Sequence, residues 1–219
     1  MDSNVSELKS ALIEVRKAHR LVESYQERMI SLVSFIRAKL DFHQLEGVKH
    51  FSNPIYPYRD GVHLHLMSGM WAWDFMYSYI FEYYVGDCEM DDGSNICLSI
   101  IQYSDTGFFE TSNEDRTNLS QFAPVEESGS KLLFFMERQP KGCKQLWDDY
   151  AFTRDYVLNK EFGSMKHRET VLEPKGPGKN QLMLYSIPIE RFANEKSSIE
   201  VLNEYLAFLD RNGIQLSLV

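Results

Sequence analysis

The chain is poor in several features that would assign it quickly. It has three cysteines, and no two of them form a CxxC pair. Cys88, Cys97 and Cys143 therefore supply neither a zinc knuckle nor a disulfide framework. Reduced thiols in the cytoplasm are the expectation, with no cofactor. No apolar run approaches the ~18 residues of a membrane-spanning helix, and the aromatic stretch from Trp71 to Val85 is broken by Asp74 and Glu82. The start, MDSNVSELKSAL, has no basic stretch followed by an apolar segment, so a secretory signal is not expected. Basic residues are in deficit, 23 Lys and Arg against 32 Asp and Glu, for a net charge of −9. Binding to phosphate backbones rests on basic excess, so nucleic acid is not an expected partner. Hydrophobic residues make up 43% and charged residues 25%, which excludes disordered and low-complexity classes.

Catalytic signatures are missing too. No serine sits in a GxSxG elbow. Gly176-Pro177-Gly178-Lys179-Asn180 lacks the spacing and final Ser or Thr of a phosphate loop. The acidic run Asp87, Glu89, Asp91, Asp92 places Asp92 where a calcium loop needs glycine, and Leu98 where it needs an acid. Glu173-Pro174-Lys175 has nuclease-like spacing, but proline is hostile to the central strand such a site requires. Cys143 and His167 have no companion that would make a nucleophile and base of them.

What is present begins with a helix. Residues 4–40 contain no glycine or proline, and Asn4 with Glu7 resembles a capping box. Val5, Leu8, Leu12, Val15, His19, Val22, Gln26, Met29, Val33, Ile36 and Leu40 follow alternating spacings of three and four. Nine of these eleven are apolar, the pattern of a coiled-coil seam, and polar interruptions such as His19 and Gln26 fix register and partner number. At 1.5 Å per residue the helix extends about 55 Å, more than a small domain can cover. The seam therefore predicts a homodimer or partner contact through residues 4–40. Residues 1–40 carry seven basic and five acidic side chains, a balance of +2, which leaves −11 for the remainder. An acidic body of this kind fits a basic protein partner.

The expected fold is α+β: a helical segment 1–42, then a sheet domain 43–219. Residues 41–60 read as a connector and 62–67 as a short strand. In WAWDFMYSYIFEYYV (71–85) every odd position is large, so it reads as a strand with one aromatic face. A turn at Asp92-Gly93 would make 71–103 a long central hairpin. It would set Val85 opposite Ile100, Tyr83 opposite Gln102 and Cys88 opposite Cys97. Further strands are expected at 107–111, 131–137, 181–187 and 214–218. Helices are expected at 144–162 and at 198–211, the latter opened by Ser197 and Glu200.

Two histidines two residues apart on a strand point the same way, which makes His63 and His65 metal candidates with Asp74, His50 or Glu82 as a third ligand. The expected contact residues for a partner are Val15, His19, Val22, Gln26, Met29, Trp71, Trp73 and Tyr84. The function expected from these features is that of a non-enzymatic intracellular protein-binding protein, of inhibitor, immunity or adaptor type. The alternatives are a metal-dependent hydrolase or nuclease using His63 and His65, and a small-ligand binder with an aromatic groove.

Overall fold

The computed structural model describes residues 2–51, 79–111, 118–142, 156–166, 168–173 and 180–219. Helix α1 spans Asp2–Lys39 and runs unbroken for 38 residues, about 57 Å. Among the described residues six strands follow: β1 Glu46–Lys49, β2 Ile80–Glu89, β3 Asn95–Tyr103, β4 Lys131–Gln139, β5 Glu169–Leu172 and β6 Gln181–Pro188. They form one sheet in the order β1-β2-β3-β4-β6-β5, and every neighbouring pair is antiparallel. Short helices α2 (Gly107–Glu110) and α3 (Lys160–Gly163) lie in the connections, and α4 spans Glu195–Arg211. This is the α+β architecture that the alternation of strand and helix patterns implies.

The strand period of two divides the core. Phe81, Tyr83, Ile96, Leu98, Ile100, Leu132, Phe134, Met136, Met183 and Tyr185 point to one face. There they meet Met29, Val33, Ile36 and Leu40 of α1 and Val201, Leu202, Tyr205, Phe208 and Leu209 of α4. Tyr205 packs on Phe134 with ring centroids 4.7 Å apart, and Phe208 on Tyr185 at 5.3 Å. Ile80, Ile101, Tyr103, Leu133, Phe135, Leu182 and Leu184 point to the other face. Connecting segments cover it there through Phe51, Tyr79, Phe108, Phe109 and Phe162.

Several sequence expectations need correction. The β2–β3 hairpin pairs Glu89 with Asn95, and Gly93 (φ +79°) closes a loop in which the Gly93 N–H donates to Met90 O and the Met90 N–H to Ser94 O. That is a three-residue loop with its left-handed glycine last, not a two-residue turn at Asp92-Gly93. A second offset arises between Tyr84 and Gly86, where Gly86 (φ +130°) carries a bulge that only glycine adopts cheaply. Tyr83 consequently faces Ile100 and Phe81 faces Gln102. Cys88 lies opposite Ile96 and Cys97 opposite Asp87, so the two thiols are not cross-strand partners and are not joined in a disulfide.

The Phe108-Phe109 segment is a helical turn rather than a strand, begun by an Asp105 side chain that accepts from the Gly107 N–H at 2.7 Å. The last helix is capped one turn earlier than expected. Asn194 accepts from the Ser197 N–H, and the Ser197 hydroxyl accepts from the Asn194 N–H. Residues 214–219 are not a strand; Ile214 is buried and the Val219 N–H reaches Lys39 O. β1 lies inside the expected connector, and β5 was not foreseen. The strand expected at 62–67, residues 71–78 of the aromatic strand and most of the helix expected at 144–162 lie outside the described residues.

Candidate docking groove and the buried polar cluster

One stripe along α1 meets two environments. Met29, Val33, Ile36 and Leu40 are buried in the helix-covered core. Toward the N terminus the same spacing continues, but Val5, Leu8, Leu12, Val15 and Val22 are 45–60% exposed. The helix has left the sheet, and its apolar edge lies uncovered. The Gln26 side-chain amide marks the border. It donates to the Tyr83 hydroxyl at 2.8 Å, and that hydroxyl donates to Gln102 Oε1 at 2.7 Å.

Just beyond the border, a groove of about 620 Å³ opens between α1 and the end of the sheet. Val15, Ala18, His19, Leu21, Val22 and Tyr25 form its helical wall; Tyr79, Ser104, Asp105 and Ser130 form the other. The lining is mostly apolar, with one carboxylate. Burial raises the pKa of the Tyr25 phenol. Burial also raises that of Tyr79, and the charge of Asp105 adds to the effect. Both hydroxyls are therefore held in the neutral form.

A second polar feature lies under the other face of the sheet. Glu82 is fully buried. Its Oε2 is 2.5 Å from His50 Nε2, and its Oε1 accepts from the Ser99 hydroxyl at 2.6 Å. A nucleophilic serine needs a base at its own hydroxyl. Here Ser99 and His50 sit on opposite oxygens of one carboxylate, so the order is serine, acid, histidine, and the imidazole does not contact the hydroxyl. The arrangement ties β1 and the chain after it to the middle of the sheet. Nearby chemistry is similarly committed. The Lys131 ammonium donates to Phe162 O at 2.5 Å and to Ser164 O, and it lies over the Tyr103 ring. Burial pulls its pKa down to about 7.

Val15, His19 and Val22 thus stand together in the groove, as the helical spacing placed them. Gln26 sits at its inner end, bound to Tyr83. Met29 lies in the sheet core, and Tyr84 is buried with its hydroxyl on Asp87 at 3.1 Å. Trp71, Trp73, His63, His65 and Asp74 lie outside the described residues. Among the described residues, no group of three or more His, Cys, Asp or Glu is placed to hold a metal ion. None of their helices is long and apolar enough to cross a membrane. The opposite wall of the groove was not foreseen. Tyr79, Ser104, Asp105 and Ser130 come from strand ends and connections brought together by pairing register, and no local pattern announces that.

Fold and groove together define an antiparallel α+β protein whose long N-terminal helix begins outside its own core. A family model described as PM0109 matches residues 5–213, and the chain belongs to that family. The matched span takes in both the exposed stripe and the sheet. No curated protein and no solved structure matches the chain.

Proposed function

We propose that this chain is a non-enzymatic protein-binding protein, of inhibitor, immunity or adaptor type, that works in the cytoplasm. It docks and self-associates through the free half of α1, and its acidic body offers a surface to a basic partner. The observation that carries this reading is the shared stripe: four of its residues are core, while its N-terminal continuation is apolar and exposed. An uncovered edge of this kind on a soluble protein marks an interaction site. The −11 balance outside residues 1–40 supports the acidic-surface part of the reading.

Sedimentation equilibrium on the full chain tests it. The unaltered protein is expected as a dimer at micromolar concentration, and Leu12→Glu as a monomer of unchanged helicity. A monomeric unaltered protein rules the self-association out. The groove favours a second reading, binding of a small apolar ligand, because its volume is that of a typical ligand pocket and Tyr25 and Tyr79 line it. Native mass spectrometry separates the two: a retained small molecule favours the ligand, a doubled mass the protein contact.

A further inference from the structure

We infer that the second copy lies antiparallel to the first along the free half of α1, so that Lys9 of each chain meets Glu23 of the other. This rests on the self-association proposed above and adds its orientation and register. In the seam, Val5, Leu12, His19 and Gln26 alternate with Leu8, Val15 and Val22. The positions flanking it on one side are Lys9, Arg16 and Glu23; those on the other are Asn4, Ala11, Ala18 and Tyr25. Lys9, Arg16, Glu23, Ala11 and Ala18 are all exposed in the single chain.

Flanking residues decide the orientation of paired helices. A parallel pair sets one flank against the opposite flank of its partner. That brings Ala11 to Arg16 and Ala18 to Glu23, forms no charge pair, and stacks His19 on His19. An antiparallel pair sets each flank against its own kind. With the two-fold axis beside residue 17, the seam layers become Leu8 with Gln26, Leu12 with Val22 and Val15 with His19. The alanine flank then closes with Ala18 on Ala18 and Ala11 beside Tyr25. The charged flank forms Lys9–Glu23 twice and sets Arg16 against Arg16 once, at the axis.

Neighbouring antiparallel registers are worse. Sliding the helices apart by one heptad brings Lys9 against Arg16. Sliding them inward sets Val5, Leu8 and Leu12 against Ile36, Val33 and Met29, all covered by their own sheet, whereas the chosen register meets that cover only at its end, where Val5 falls opposite Met29 and makes no contact. The groove adjoins this same helical face through Val15, Val22 and Tyr25.

The test is a charge exchange in the full chain, read by sedimentation velocity at low salt. Lys9→Glu and Glu23→Lys each turn two attractions into two repulsions. Each is expected to weaken the dimer about ten-fold, since exposed helix pairs contribute little individually but act here four times over. The double variant restores the attraction with its signs reversed and should return to within about two-fold of the unaltered protein. Both sites are exposed and both replacements are good helix formers, so folding is preserved, and circular dichroism verifies it. A double variant no tighter than the single ones overturns the antiparallel register. A dimer that behaves so still leaves self-association standing, whereas a monomeric unaltered chain overturns both.

Discussion

Helix α1 contains its own control experiment. From Met29 to Leu40 and from Val5 to Val22 the spacing of apolar residues is the same, and so is the backbone. Only the surroundings differ. The first stretch lies against the sheet and is sealed from water; the second projects past it. Periodicity therefore specifies which face of a helix seeks cover, but not where the cover comes from. Tertiary structure supplies it for one stretch, and the proposed second copy supplies it for the other.

The sharpest way to break this comparison is to make one substitution in both stretches. Val33 is fully buried and Val15 is 49% exposed. Val33→Asp puts a carboxylate into an apolar core with no partner and should cost more than about 4 kcal/mol, a large share of a typical domain's stability. Val15→Asp should leave urea stability within about 0.5 kcal/mol at low protein concentration, because it removes no core contact. It should still abolish the dimer. Equal losses of stability at both sites would mean that the N-terminal stretch is covered by its own chain.

Legibility followed the range of the signal. Helix α1, strands β2, β3, β4 and β6 and helix α4 all announce themselves by local period, and all are present near the expected positions. Register did not follow, because it depends on a loop one residue longer than assumed and on a bulge at Gly86 whose only local sign is the glycine. Phe108-Phe109 is a short apolar run, which fits a strand or a buried helical turn equally, and the Asp105 carboxylate settles it for the turn. The candidate site divides likewise. Its helical wall, Val15, His19 and Val22, is written in the spacing, while Tyr79, Ser104 and Asp105 arrive only through sheet assembly. The buried His50–Glu82–Ser99 link joins three strand-region residues far apart in sequence, and no local pattern links them.

Titration gives a milder test of what it means to lie inside the body. Lys131 has a pKa of about 7 in the fold, lowered by burial, against ~10.4 in an unfolded chain. Between those values the unfolded chain holds the proton and the folded chain does not. Stability contributed by this group therefore rises with pH from about 7 to 10, by at most about 1.4 kcal/mol per pH unit, the slope for one proton. Urea midpoints across that range should show the rise, and Lys131→Met should flatten it. An unchanged slope in the variant would mean that Lys131 keeps its proton, held by the carbonyls of Phe162 and Ser164.

The smallest expected effect is the most specific to the exposed stretch. At the antiparallel two-fold axis Arg16 faces Arg16, one like-charge contact among the attractions of the flank. Exposed like charges at this spacing repel by roughly 0.2–0.5 kcal/mol. Arg16→Ala removes that repulsion and also improves helix propensity. It should tighten the dimer about two-fold at low salt, and the gain should shrink as salt screens the charges. The Lys131 slope should not change. In a parallel pair Arg16 lies beside Ala11 and has no repulsion to lose, so a gain that does not depend on salt would point to helix propensity alone and count against the antiparallel arrangement.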